Sequence, residues 1–253
     1  MSAIVWITGA SSGLGRQAAL EFARRGYRVA ATARRAEALE SLAAESDDLL
    51  GDVVAYPGDV TDGAAMAEVV GAIEDDMGPI GIAVLNAGTF FPMTVDEFDP
   101  DALEKTLNVN VMGVARSLAP LLKRMIARGD GRIYPTASLS GYVGLPRASA
   151  YGLSKAGLIN MAESLHLELK PKGVHFGVIV PGFVETPLTE KNDFPMPFLS
   201  PVERAAEALV DGVLGRKFEV GFPMRFVLLM KLVRMLPYGL AFPLLRWATR
   251  GRR

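Results

Sequence analysis

Residues 4–15 read Ile4-Val-Trp-Ile-Thr8-Gly-Ala-Ser-Ser-Gly13-Leu-Gly15, an apolar run that passes directly into a turn holding three glycines. A strand, a glycine turn and the start of a helix form the setting in which such a motif acquires meaning. Gly9 permits the tight turn, Gly13 lets backbone approach a pyrophosphate, and Gly15 lets the following helix pack close to the strand. Ser11, Ser12 and Leu14 complete the turn. Its amides and the positive end of the helix are expected to face phosphate oxygens. An ordinary β–α connection can carry the same glycines, so the rest of the chain has to decide.

Outward from this stretch, apolar runs and helical patterns alternate. Strands are expected at Ile4–Thr8, Tyr27–Ala33, Val53–Tyr56, Ile82–Asn86, Arg132–Ala137, His175–Val180 and Lys217–Val220. Helices are expected at Gly13–Gly26, Ala36–Glu45, Ala64–Met77, Ala102–Arg128, Tyr151–Lys170 and Pro201–Leu214. Strands apolar on both faces and joined by helices imply a parallel sheet covered on both sides. The fold class is therefore α/β: a single Rossmann-like, doubly wound parallel sheet of about seven strands. Its 253 residues suit one such domain. We place this domain at residues 1–221 and an extension at 222–253.

Composition narrows the chemistry. With no cysteine and only His166 and His175, the chain has no disulfide, thiolate site or cysteine nucleophile. It has little material for a histidine-based metal site, and no metal is expected. Both histidines read as packing or surface residues. No signal peptide is legible at the N-terminus, and a cytoplasmic location with peripheral membrane association as an option is expected.

Chemistry enters at two places. The second strand ends Thr32-Ala33-Arg34-Arg35, with no carboxylate to accept a ribose 2′-hydroxyl. A guanidinium can grip a 2′-phosphate through paired charge-assisted bonds, so Arg34 favours NADP(H) over NAD(H). Tyr151 and Lys155 are four residues apart on a helix and share a face. An ammonium near a phenol, in a site drier than water, would lower the phenol from about 10 toward neutrality. The Ser138 hydroxyl, 13 residues before Tyr151, can hold an oxygen on which charge develops.

Taken together, these motifs resemble the short-chain dehydrogenase/reductase family, over roughly Ile4 to Val220. The matching pieces follow in the family's order. They are Thr8–Gly15, Asp59-Val60, Asn86-Ala87-Gly88, Asn110-Val-Met-Gly113, Ser138 with Gly141, Tyr151 to Lys155, and Pro181-Gly182 with Val184 and Thr186. The resemblance implies that Tyr151 is the general acid in reduction and the base in oxidation. It implies that Lys155 lowers the Tyr151 pKa and holds the nicotinamide ribose. Ser138 would position the substrate oxygen, and Asn110 would hold a water linking Lys155 to solvent. Asp59 and Val60 would face the adenine, while Pro181, Gly182 and Thr186 would bracket the nicotinamide. The family's oligomers imply a homodimer or homotetramer built on helices 102–128 and 151–170. Three departures stand out: Pro135 lies within the fifth strand, Ala137 replaces a serine, and Ser12 stands where many NADP-binding relatives are basic.

The two stretches outside the pattern bear on the substrate. Pro187–Pro201 is a long, proline-bearing apolar segment of the kind used as a lid. With Phe90, Phe91 and Phe183 it is expected to line the mouth, and Met93, Met196 and Met224 to lie near it. Residues 222–253 hold seven of the 27 basic residues and no acidic one, leaving residues 1–221 with all 28 acidic residues and a net charge of −8. Prolines 237 and 243 keep the apolar pieces too short to span a bilayer. Two readings remain open: helices lying on an anionic membrane surface, or an extension packed over the cleft or against a second subunit. Either favours a hydrophobic carbonyl or secondary alcohol as substrate. A catalytically idle NADP(H) sensor or a membrane-recruited scaffold is the alternative. The basic cluster lacks interleaved stacking aromatics, so nucleic acid is not an expected partner.

Overall fold

The computed structural model describes residues 3–190 and 195–249. Phe194 and Arg250, Arg252 and Arg253, which the sequence reading used, lie outside the described residues. The strands are β1 (Ile4–Thr8), β2 (Val29–Thr32), β3 (Val53–Ala55), β4 (Ile80–Leu85), β5 (Gly131–Pro135), β6 (Val174–Phe176), β7 (Val178–Pro181) and β8 (Glu219–Phe222). The helices are α1 (Gly13–Arg24), α2 (Ala36–Ala44), α3 (Gly63–Met77), α4 (Pro100–Leu107), α5 (Gly113–Arg128), α6 (Ser149–Leu169), α7 (Val202–Leu214), α8 (Met224–Met235) and α9 (Tyr238–Ala248).

The main sheet has the order β3-β2-β1-β4-β5-β6, and β7 pairs with β8; every pairing is parallel. A bridge between Thr136 and Ile179 joins the two pieces. The expected sixth strand is therefore two strands. Pro135 supplies the reason. Gly177 N–H donates to the Ile133 carbonyl and Ala137 N–H to the Ile179 carbonyl, at 2.9 and 2.7 Å. The position between them on β5 is Pro135, which has no N–H to give. The ladder skips one rung and resumes in the same register.

Alternating side chains of β1 feed the two cores. Val5 and Ile7 pack with α1, α2 and α7, while Ile4 and Trp6 pack with α3, α5 and α6. Trp6 is wholly buried, and its indole N–H donates to Thr32 Oγ1 at 2.9 Å. The crossovers leave β1 in opposite directions, toward β2 on one side and β4 on the other. The crevice at the carboxyl ends of β1 and β4 is the switch point where such sheets bind ligands.

The single helix expected over 102–128 is instead α4 and α5 joined by one wider turn with i→i+5 bonding, Asn108–Met112. Asp99 starts α4 by accepting from the Asp101 amide at 2.9 Å. Gly113 opens α5 where a Cβ would lie 2.8 Å from Val60. The widened turn thus lets the helix pass close to the loop after β3. The extension is not a free appendage. Phe226, Val227 and Met230 of α8 belong to the main core, and Val233, Ala241 and Leu245 form a small cluster with Val143 and Leu145.

Candidate active site

A cleft of about 730 Å³ runs along the carboxyl ends of the strands. At its floor the chain turns as the glycines require. Gly9 and Gly13 have φ of +69° and +55°, in the left-handed region. A Cβ on Gly15 would collide with the Gly9 carbonyl oxygen, so α1 can seat on the turn only with glycine there. Gly15 accordingly packs the helix and does not line the cleft, whereas Gly9, Ser11, Ser12, Gly13 and Leu14 do. Ser12 precedes α1 without capping it through its side chain, and the first turn has no acidic residue. The site thus presents amides and a positive helix end to an anion.

Around the floor lie Asp59, Val60, Asn86, Ala87 and Gly88 from the ends of β3 and β4. Asn86 Nδ2 reaches the Gly9 carbonyl at 3.4 Å, and Thr8 Oγ1 receives the Ala87 amide at 3.2 Å. These bonds tie the β4 loop to the glycine turn. Asp59 folds its own loop by accepting from the Thr61 amide at 2.9 Å. Arg34 and Arg35 both border the cleft and are exposed. Arg35 also donates to Ser11 Oγ at 3.3 Å, which brings it to the phosphate end of the turn. Arg35 therefore has as strong a structural claim as Arg34.

The opposite wall carries the polar trio. Ser138 caps a single helical turn, its Oγ accepting from the Ser140 amide at 3.2 Å. That turn presses on α6 at Gly141, where a Cβ would come within 2.8 Å of the Lys155 carbonyl carbon and oxygen. Glycine at 141 is thus the condition for Ser138 to face the first turns of α6. Tyr151 is half-buried, lines the cleft and is hydrogen-bonded to the Ser138 side chain. The Phe90 ring packs edge-on against it, with centroids 5.1 Å apart.

Lys155 is 3% exposed, and its ammonium donates to the Thr136 carbonyl at 2.7 Å. Its Nζ lies 5.4 Å from the centroid of the Tyr151 ring. Burial pushes the lysine down to about 8. Burial also raises Tyr151, against a smaller lowering from the Ser138 hydrogen bond. The ammonium points at Thr136 and lies over the phenol ring, and burial is the largest influence on the phenol in this arrangement.

Asn110 is fully buried and does not border the cleft. Its Oδ1 accepts from the Thr89 amide at 2.8 Å, and its Nδ2 donates to the Thr89 carbonyl and to Ser154 Oγ, both at 3.0 Å. The side chain is committed to holding the β4 loop against α6. Thr89, Ser154 and Thr136 are site residues that the sequence reading missed. The Thr136 hydroxyl is buried in the cleft wall without a hydrogen-bond partner among the described residues.

The last wall is the segment after β7. Pro181, Gly182, Val184, Thr186, Pro187 and Leu188 border the cleft. Thr189 Oγ1 binds the Val184 carbonyl at 2.6 Å, and Val184 bridges to Ser200, so the segment folds back on itself. Thr186 sits against Gly13, where a Cβ would be 3.1 Å from its methyl. Of the expected mouth residues, Phe91 borders the cleft, Phe183 stacks on Phe226 with centroids 5.8 Å apart, and Met93 is buried. Met224 is exposed on α8.

These residues fit a nicotinamide dinucleotide. The glycine turn and helix end suit its pyrophosphate, and a buried ammonium beside an unpartnered threonine hydroxyl suits a ribose.

Comparison with known proteins agrees. The short chain dehydrogenase family matches residues 3–195. An uncharacterized oxidoreductase of Myxococcus xanthus is 36% identical over 231 residues, 91% of each chain. A 3-oxoacyl-[acyl-carrier-protein] reductase of Thermotoga maritima is 35% identical over 185 residues, covering 73% of this chain and 75% of its own. The structure of a short-chain dehydrogenase from Sphingobium yanoikuyae in complex with NADPH superposes with a TM-score of 0.80 at 28% identity, over 93% of this chain and 97% of that one. The chain belongs to the short-chain dehydrogenase/reductase family and is an oxidoreductase with the nicotinamide-binding fold of that family.

Proposed function

We propose that the protein is an NADPH-dependent reductase of a hydrophobic carbonyl compound, the same site serving the reverse oxidation of a secondary alcohol. The observation that carries this reading is the hydrogen-bonded Ser138–Tyr151 hydroxyl pair inside the cleft, with the buried Lys155 ammonium beside the phenol ring. Arg34 and Arg35 at the cleft rim, in a strand end Thr32-Ala33-Arg34-Arg35 without a carboxylate, support a 2′-phosphate. The apolar wall of Phe91, Pro187 and Leu188 supports an apolar substrate. The name of the Thermotoga relative, a reductase of a ketone on an acyl chain, points the same way.

The dinucleotide, when bound, supplies or accepts the hydride. The chain's own residues handle the oxygen. Ser138 and Tyr151 hydroxyls both donate to the carbonyl oxygen, and Tyr151 passes its proton to that oxygen as negative charge builds there. The phenol is raised in the structure, which suits it to carry a proton until the alkoxide draws it away. Lys155, at about 8, is mostly charged at neutral pH and holds ribose hydroxyls. Asn110 positions α6 through Ser154. Exposed Leu153 and Leu167 on α6 suit the homodimer or homotetramer expected from the family resemblance.

The test is nucleotide absorbance with a panel of long-chain and short-chain ketones, NADPH against NADH, for the parent and Tyr151→Phe. The variant is expected to bind NADPH normally and lose about 10²–10⁴-fold in kcat. Equal turnover by the variant would remove the assignment, and faster reduction of short polar ketones would remove the apolar substrate.

A further inference from the structure

Helix α8 is apolar on two opposite faces. Phe226, Val227, Met230 and Val233 are buried on one. Met224, Leu228, Leu232 and Met235 are 56, 60, 58 and 80% exposed, and their spacing puts them in one stripe on the other. A helix needs one apolar face to fold onto a domain, so the second has another purpose. Helix α9 buries Ala241 and Leu245 while exposing Leu240, Phe242 and Trp247. Arg225 flanks the stripe on one side and Lys231 on the other, the exposed Arg234 lies farther round the helix, and Arg246 is on α9. Lys231 pairs with Glu219 at 2.6 Å. From residue 222 to the end no acidic residue is present.

We propose that the α8–α9 hairpin docks on an anionic lipid surface, with its outer apolar stripe in the boundary between headgroups and acyl chains. Charge selects this occupant over a second copy of the chain. In a symmetric pairing of this face with itself, Arg225 and Arg246 would meet the same cations with no carboxylate in the hairpin to answer them. Anionic headgroups supply that complement, and long arginine side chains can reach them while the leucines sink. The remainder of the chain carries −8 and is repelled, so the molecule docks in one orientation. Among the described residues no helix is long and apolar enough to cross a membrane, and the two helices would lie along the surface.

Docking would bear directly on the cleft. The Phe226 ring lies 5.8 Å from Phe183 and 5.4 Å from Phe198, at either end of the segment whose Pro187 and Leu188 wall the site. Docking of the outer face would thus bear on a helix whose inner face packs against the segment that walls the site.

The experiment is co-sedimentation of the full chain with phosphatidylcholine vesicles, with and without phosphatidylglycerol. It also uses Leu228→Glu/Leu232→Glu and Arg225→Glu/Arg234→Glu, each checked for native circular dichroism and NADPH binding. The parent is expected to pellet with the mixed vesicles and far less with the neutral ones, with salt weakening the binding. Each double variant should lose at least about tenfold in partitioning. A folded parent that ignores the mixed vesicles, binds both kinds equally, or binds as well after either double substitution overturns the proposal. A parent that ignores vesicles but forms dimers broken by Leu228→Glu/Leu232→Glu assigns the stripe to a second subunit and likewise overturns it. None of these readings depends on finding a substrate.

Discussion

Replacing Lys155 with methionine should make the nucleotide-free protein more stable while abolishing its activity. The side chain is 3% exposed and among the described residues no carboxylate pairs with it; its ammonium donates to the Thr136 carbonyl at 2.7 Å and lies over the Tyr151 ring. Burial alone moves its pKa from 10.5 to about 8, which at about 1.4 kcal/mol per unit makes the buried charge cost roughly 3 kcal/mol. Methionine fills a similar volume without charge. It leaves the Thr136 carbonyl short of a donor, a loss of about 1 kcal/mol. The net gain is about 2 kcal/mol, or ~4–8 °C in Tm for a domain of this size. The sign of the pH dependence follows from the depressed value. Below about 8 both folded and unfolded parent hold the proton, and the penalty is complete. Between about 8 and 10.5 the folded parent sheds its proton first, so its stability rises with pH and its deficit against the variant shrinks. Thermal unfolding followed by circular dichroism at pH 7 and pH 9.5, without nucleotide, measures both effects. A variant that melts below the parent at pH 7 would refute the reasoning, because the ammonium would then be a stabilising part of the fold. In that case its burial would say nothing about a ligand.

Two further substitutions test other parts of the site. Gly141→Ala places a methyl 2.8 Å from the Lys155 carbonyl carbon and oxygen, so it should cost about 1–3 kcal/mol in thermal unfolding. It should also lower kcat more than KM, because the Ser138 turn is pushed off α6. Arg34→Ala/Arg35→Ala removes the two cations at the cleft rim to which the proposed function assigns the 2′-phosphate. The Kd for NADPH, measured by fluorescence, should rise at least about tenfold while that for NADH stays within about twofold, two charge-assisted contacts being worth about 1.5–3 kcal/mol each.

What the sequence made legible, and what it did not, divides along a physical line. The strand β1, the glycine turn and the order of the sheet follow from local patterns: an apolar run, a backbone conformation open to glycine, and alternation along the chain. The Ser138, Tyr151 and Lys155 side chains meet because Gly141 is small and α6 is regular, and both features are written in the sequence. Pro135 announced a break, and the missing rung at Gly177 is where it falls. The unread features depend on distant partners. No local pattern says that Asn110 spends its side chain on Thr89 and Ser154, or that the Lys155 ammonium turns to Thr136. The same holds for α8. Its sequence, Met224-Arg-Phe-Val-Leu-Leu-Met-Lys-Leu-Val-Arg-Met235, is apolar at nearly every angle, so periodicity could not choose an inner face. The structure chooses it at Gly182, where a Cβ would stand 2.9 Å from the Phe226 ring and 3.3 Å from Leu139 next to Ser138. The glycine that borders the cleft is thus also the seat of the helix that carries the exposed stripe. A shift in α8 has a short steric route to the residues around the substrate oxygen, which links whatever holds the outer face of that helix to the geometry of the reaction.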